Sequence, residues 1–401
     1  MRPLSILLFY DCIYPDSVGG VEHRNHELAK ALAGRGHRVT LAGFAAAPSQ
    51  PCAGVEIRPV GPPGRLYSAE GKRSTAEAAR LAAAAARIDL RPFDVVEAAN
   101  IPYAHLPVLA ARCRLLGRPF VVTWHEYWGR YWKQYLGRKW PLYSGMERLT
   151  VPLGTRALAV SHLTASRVEA RRHEEVRVIP NGIPAARIRE AAESGSDGSV
   201  RSDRSVGSEK AGPPLVYAGR LVREKRIDLL LEAVARIIRL NPGLACPLLA
   251  VIGDGPDRER LAGLAERLGL LGPPPAVIFH GHLRTNVDVW RRMGAARIAV
   301  QPSSREGFGL FPLEAMAAGL PVVYCESPES ALGELVEPGA QGIATQPDPA
   351  ALAMALGRLL ADPEEVRRLG GNALRHAARY DWSVVAAEME AVFLSLLAAD
   401  S

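Results

Sequence analysis

Short apolar, β-branched runs alternate with longer stretches of helical period along most of this chain, a pattern that predicts parallel α/β sheets. In the first half the runs place strands at Leu4–Tyr10, Arg38–Gly43, Val55–Val60, Asp94–Glu97, Phe120–Trp124, Ala157–Val160 and Val176–Ile179. In the second half they fall at Leu215–Ala218, Leu248–Ile252, Val277–Phe279, Arg297–Val300 and Pro321–Tyr324. The loop after the first strand ends in Gly19-Gly20, and a helical pattern follows from Val21 to about Gly34. A helix predicted over Ile227–Leu240 sets Ile227, Leu230, Leu231, Val234 and Ile238 on one face. Helical patterns then run from about Pro349 almost to the end.

Between the two alternating halves lies Ser194–Gly212, polar, rich in small residues and nearly free of large apolar side chains. Such a stretch cannot bury enough surface to order itself, so it reads as a linker or an insertion beside one. At 401 residues the chain has room for two ordinary domains. The expected division is 1–193, a linker at 194–212, a second domain at 213–375, and a C-terminal segment at 376–401.

Composition narrows the partners. The 49 basic and 42 acidic residues leave a formal charge of +7, which suits an anionic substrate or surface and does not demand nucleic acid. No nucleic-acid signature accompanies it. The five cysteines (Cys12, Cys52, Cys113, Cys246, Cys325) are scattered and never at metal-ligand spacing. They read as reduced thiols of a cytoplasmic protein. The apolar run before Asp11 is short and reads as a strand, not a signal peptide. The alanine-rich run near Leu81–Ala86 is flanked by arginines, and no apolar segment is long enough to cross a bilayer.

The densest chemistry lies in Gln301-Pro-Ser-Ser-Arg-Glu-Gly-Phe-Gly-Leu-Phe-Pro-Leu-Glu-Ala-Met-Ala-Ala-Gly-Leu-Pro-Val-Val323. A strand breaks at Pro302, turns through a glycine-containing loop and enters a helix that Gly319 and Pro321 stop. Gly307 and Gly309 let a backbone approach a ligand, and a helix start suits an anion. Either Glu306 or Glu314 alone is explained by the helix dipole. The whole string closely resembles the signature of family 4 glycosyltransferases of the GT-B fold. The resemblance implies two Rossmann-like domains whose parallel sheets face a central cleft, with Pro180-Asn-Gly-Ile183 closing the first and the last helix crossing back to it.

The resemblance also assigns roles. Glu306 meets the donor sugar and Glu314 holds the ribose hydroxyls, with Gly307, Phe308, Gly309 and Leu310 lining the donor site. Gly19 and Gly20 match the family's approach to the donor diphosphate. Arg220 and Lys225, in Tyr217-Ala-Gly-Arg-Leu-Val-Arg-Glu-Lys225, match its phosphate-binding segment. Taken alone, such a pair is equally well explained as solvated surface. Gly253, in Val251-Ile-Gly-Asp-Gly-Pro256, borders the nucleotide by resemblance and is a bare structural turn by sequence. His125 matches the histidine facing the donor sugar, and Glu126 and Tyr127 beside it are candidate acceptor ligands. No metal or other cofactor is expected, since no Asp-x-Asp in a cleft position and no His/Cys cluster is present.

The expected activity is retaining transfer of a hexosyl unit from a nucleoside-diphosphate sugar, of GDP-mannose or UDP-glucose/UDP-GlcNAc type. The expected acceptor is a glycan or lipid-linked molecule of cell-envelope polysaccharide or glycoconjugate synthesis. Alternatives are a nucleotide-sugar epimerase or hydrolase, a transferase acting on a soluble small-molecule acceptor, and a non-catalytic sugar-nucleotide sensor. The segment from Trp124 to Tyr143 holds four of the six tryptophans, and from Gly129 onward it carries cations and no acid. Amphipathic rings beside cations suit an anionic bilayer, which would place a cytoplasmic protein peripherally on the inner face of a membrane. Helical spacing of Trp124, Trp128 and Trp132 is equally consistent with domain packing.

Overall fold

In a computed structural model, residues 2–16, 19–46, 54–64, 73–195, 213–243 and 246–399 are described. Residues 196–212 of the expected linker, and Cys52, lie outside them. The chain divides into two compact units, Met1–Gly182 with Trp382–Ser401, and Ile183–Asp381.

The first unit is built on seven parallel strands: β1 (Ser5–Cys12), β2 (Arg38–Phe44), β3 (Val55–Pro59), β4 (Val95–Ala99), β5 (Phe120–Trp124), β6 (Arg156–Ala159) and β7 (Arg177–Val178). Their spatial order is β3-β2-β1-β4-β5-β6-β7, so the winding reverses between β1 and β4. The two-residue period of a strand feeds both faces of the sheet. Leu4, Ile6 and Leu8 enter one core cluster, while Leu7 and Phe9 enter the other. The first cluster is covered by the helix Gly20–Gly34, through Leu28, Ala29 and Leu32, and by the C-terminal helix Trp382–Ala399. Trp382, Val385, Ala386, Met389, Val392, Phe393 and Leu396 recur at helical spacing and are all buried there. The buried His37 and the partly exposed Arg35 both bond the Glu390 carboxylate, His37 Nε2 at 2.8 Å.

The opposite face of that sheet takes most of the aromatic segment. Trp124 and Trp132 are buried, Trp128 packs on Trp132 with ring centroids 4.5 Å apart, and Tyr135, Trp140 and Tyr143 line the same cluster. Packing accounts for Trp124 and Trp132, while Trp128 and Trp140 are only partly buried. Among the described residues, no helix is long and apolar enough to cross a membrane.

The second unit has six parallel strands: β8 (Leu215–Ala218), β9 (Leu249–Ile252), β10 (Val277–Gly281), β11 (Ile298–Gln301), β12 (Val322–Cys325) and β13 (Gly342–Thr345). The order β10-β9-β8-β11-β12-β13 reverses between β8 and β11. The strand β13 was not expected from the sequence. Gly-Ile-Ala-Thr carries one large apolar residue, and Gly342 lets the strand close on Val322, whose carbonyl would lie 1.9 Å from an added Cβ. The helix Ile227–Leu240 buries a wider face than predicted, adding Leu229, Ala233, Ala235 and Ile237 while Ile238 is only half-buried.

The boundary after the first sheet also differs from the expected residue 193. The helix Ala185–Gly195 belongs to the second unit, seated against the helix Asn286–Gly294. Gly294 permits the approach, because a Cβ there would sit 1.9 Å from the Ala192 carbonyl. The Ile183 amide donates to the Tyr380 carbonyl at 2.8 Å, and the Ala185 amide to Asp381 Oδ2 at 3.2 Å. The second unit therefore begins and ends at adjacent points.

Because Phe393 is fully buried in the first unit's core, Phe393→Ala is expected to destabilise that unit by about 3–5 kcal/mol. Chemical denaturation of the full chain checks this; a change under about 1 kcal/mol would mean that the C-terminal helix contributes little to that core.

Candidate functional site

In the second unit the candidate residues gather at the carboxyl ends of β8, β9 and β11. Past β8, Gly219 and Gly253 cross backbone to backbone. A Cβ on Gly253, whose φ is 125°, would lie 2.0 Å from the Gly219 carbonyl. The Gly219 amide donates to the Ile252 carbonyl and the Gly253 amide to the Gly281 carbonyl, so three strand ends converge. Arg220 is exposed just beyond, and a one-turn 3₁₀ helix, Arg223–Lys225, leads to the next helix.

The loop after β11 is tied to that turn. The Ser304 amide donates to the Glu224 carbonyl at 2.9 Å, and Ser304 Oγ donates to the same atom at 3.2 Å. Lys225 Nζ lies 2.5 Å from Glu306 Oε1, which also accepts from Gln301 Nε2. Glu306 is only 8% exposed, and those donors satisfy its buried carboxylate oxygen. Its backbone forms a parallel bridge with Ser330, and the Ala331 amide donates to its carbonyl at 2.9 Å. The sequence named Lys225 and Glu306 for different parts of the donor; the fold joins them in one ion pair.

Gly307 follows, half-buried, and Phe308 is buried with its ring near Tyr380. Gly309, at φ 105°, caps the helix Leu310–Ala317 and presses on Leu332. Leu310 opens that helix, whose positive dipole end faces this loop. Glu314 lies one turn in. The buried Trp290 donates from its indole N–H to Glu314 Oε1 at 3.2 Å, and Arg187 lies over the indole at 6.0 Å. Burial pushes the Glu314 carboxyl up to about 7, the indole hydrogen bond pulling the other way.

In the first unit the candidates cluster beyond β1, β4 and β5. Gly19 caps the helix that Gly20 opens and sits against the Glu22 carboxylate. His125 follows β5, and Asn100 holds it in place. Asn100 Oδ1 accepts from the His125 amide at 3.1 Å and its Nδ2 donates to the Glu126 carbonyl at 3.0 Å. Burial drives the imidazole well below its usual pKa, and the nearby Arg24 adds to this, so His125 is neutral at pH 7. Tyr127 is buried among core aromatics, its ring 6.0 Å from Trp124, with Arg171 over it at 5.0 Å. Packing thus occupies the ring offered as an acceptor ligand, while Glu126 stays half-buried.

Sequence reasoning missed Arg24, Glu97, Asn100 and Trp290. Arg24 and Glu97 are 1% and 0% exposed and lie 3.5 Å apart. Thr123 Oγ1 donates to Glu97 Oε1 at 2.5 Å. A lone glutamate inside the apolar strand Val95–Ala99 was the available signal, since a buried carboxylate demands a partner. Nothing local announced Asn100, which acts through backbone groups.

Two doubly wound parallel sheets, each with its loops gathered where the strand order reverses, are the architecture of the GT-B fold. The sequence profile of Glycosyltransferase Family 4 matches residues 18–187, and that of Glycosyl transferases group 1 matches residues 201–376. The chain belongs to this glycosyltransferase family. It is 34% identical over 239 residues to the D-inositol 3-phosphate glycosyltransferase of Streptomyces griseus, covering 55% of this chain and 49% of that protein. It is 35% identical over 223 residues to the glycogen synthase of Mycobacterium tuberculosis, again covering 55% and 49%. The matches thus span about half the length of these curated relatives. Among solved structures, sucrose-phosphate synthase from Thermosynechococcus elongatus superposes with TM-score 0.77 at 22% identity, covering 99% of this chain and 100% of that one. Anabaena HepE in complex with UDP-glucose gives 0.70 at 19% identity, covering 98% and 100%. These likenesses establish the fold.

The raised carboxyl of Glu314 has a consequence for stability. Between an unfolded value near 4.5 and a folded one of about 7, the folded chain holds the extra proton, so this group's contribution to stability falls as pH rises through that window. Unfolding free energies of wild type and Glu314→Gln are expected to draw apart between pH 5 and pH 8, the wild type losing on the order of 3 kcal/mol relative to the variant. A difference that stays constant with pH would refute the assignment.

Proposed function

We propose that this chain is a retaining, metal-independent hexosyltransferase. It would move a hexosyl unit from a nucleoside-diphosphate sugar of GDP-mannose or UDP-glucose/UDP-GlcNAc type to a glycan or lipid-linked acceptor. Its setting would be cell-envelope polysaccharide or glycoconjugate synthesis at the cytoplasmic face of a membrane. The observation that carries the reading is the Lys225–Glu306 pair, locked beside the helix that bears Glu314. The UDP-glucose complex of the Anabaena neighbour supports a nucleotide sugar as donor.

In this reading Arg220, Lys225 and the amides from Gly307 to Leu310 hold the diphosphate, and Glu314 holds the ribose. Glu306 faces the sugar. The bond between the anomeric carbon and the phosphate oxygen breaks as the acceptor hydroxyl attacks from the same face. The acceptor's proton passes to the departing phosphate oxygen, which leaves as nucleoside diphosphate. That leaving group needs charge stabilisation, not a protonated carboxyl, and the two cations and the helix end supply it. The neutral His125 imidazole offers a hydrogen bond to a sugar hydroxyl without adding charge.

A second reading, transfer to a soluble small acceptor, is favoured by one observation: the relative from Streptomyces griseus is named for D-inositol 3-phosphate. A panel of lipid-linked glycans against sugar phosphates, with the same donor, separates the two.

Turnover is expected to fall roughly a hundredfold or more in both Arg220→Ala and Lys225→Ala, with the fold intact. Near wild-type rates in both would remove the diphosphate site. Glu306→Gln is expected to damage turnover more than nucleoside-diphosphate affinity, and Glu314→Gln the affinity itself. The reverse pattern would exchange their roles. Full activity is expected in excess EDTA, and a strict need for magnesium or manganese would overturn the metal-independent scheme.

A further inference from the structure

From Arg130 to Arg156 the surface of the first unit carries six exposed cations, Arg130, Lys133, Arg138, Lys139, Arg148 and Arg156, and no exposed acid. The one carboxylate in that stretch, Glu147, is 0% exposed. It is turned inward to accept from the Tyr103 hydroxyl at 2.8 Å and from the Trp128 and Gly129 amides at 2.7 and 2.8 Å. The helix Trp140–Thr150 lies in this basic field. Its inner side takes Ser144, Glu147 and Thr150, while Leu142 and Leu149, two turns apart, stand 69% and 76% exposed. Two large aliphatic side chains on one outward face, in a stretch that carries exposed cations and no exposed acid, have no role in the unit's own core.

We propose that this leucine-and-arginine face docks on an anionic lipid bilayer, Leu142 and Leu149 entering the headgroup boundary while Arg138, Lys139 and Arg148 meet lipid phosphates. The core packing of Trp124 and Trp132 removes them from that task. Exposed cations in a stretch with no exposed acid of its own match a surface of negative charge, and outward leucines match its acyl boundary. An acidic protein partner would use the same cations but would leave the protein in solution beside vesicles. The proposal rests on the proposed function only in setting the acceptor at a membrane; the contact itself is read without donor or acceptor.

The test is co-sedimentation of the full chain with phosphatidylcholine vesicles, with and without phosphatidylglycerol, at low and high salt. Wild type is expected to pellet with the anionic vesicles at low salt and to be released at high salt. Arg138→Ser/Lys139→Ser should bind roughly 30-fold more weakly. Leu142→Ser/Leu149→Ser should bind at least about tenfold more weakly. Leu142→Met/Leu149→Met, which keeps the apolar face, should bind as wild type does. Arg358→Ser/Arg367→Ser, an equal charge loss at two residues of the second unit each 71% exposed, should change little. Wild type left in the supernatant on anionic vesicles at low salt overturns the proposal. So does a control variant weakened as much as the patch variants, or a serine pair at the leucines that binds like wild type. Turnover of a soluble donor, measured on the same variants, reports separately on the chemistry.

Discussion

A carboxylate as buried as Glu306 requires hydrogen-bond donors, and the second unit is arranged to supply them. Lys225 comes from the loop after β8, and Gln301 from the end of β11. Those strands are neighbours at the point where the winding reverses. Adjacent strands whose helices lie on opposite faces of the sheet leave a gap beyond their carboxyl ends, and ligands of open α/β sheets bind there. The Ser304–Glu224 hydrogen bonds and the Lys225–Glu306 pair stitch the two sides of that gap. The loops on both sides of the gap are thus joined by backbone and side-chain contacts together.

The first unit meets the same geometric problem with different chemistry. Its reversal lies between β1 and β4. There Arg24, on the helix after β1, pairs with Glu97 of β4, and Asn100 clips the His125–Glu126 backbone beyond β5. Burial disfavours both charges of the Arg24–Glu97 pair, and each supports the other. The outcome at the rim is a neutral imidazole and amide dipoles, where the second unit presents fixed charge.

The sheets were legible because a buried parallel strand announces itself as an apolar run, and twelve such runs stand clear in the sequence. The strand β13 was not, since its residues are small and its place depends on Gly342 lying against Val322, a contact distant in sequence. The unit boundary was misplaced for a related reason. Polarity marks where order stops, at about Ser194, but only the Gly294–Ala192 approach shows which unit the preceding helix joins. Glu306, Glu314, Lys225 and His125 were named through a motif; Arg24 and Asn100 make their contacts across strands that the sequence leaves unordered. The tryptophans illustrate the limit most directly. Rings with a polar edge serve a bilayer or a core equally well, and only their burial decides.

The resting pair also bears on how an anion binds here. A free lysine and a free buried glutamate would each carry a desolvation cost before any ligand arrived. With Lys225 already on Glu306, part of that cost has been met during folding. Under the proposed function, an arriving phosphate would meet an ammonium that is already positioned. Glu306 accepts from Gln301 as well as from Lys225. The contact therefore depends on three residues, Lys225, Glu306 and Gln301, the last of them at the end of β11.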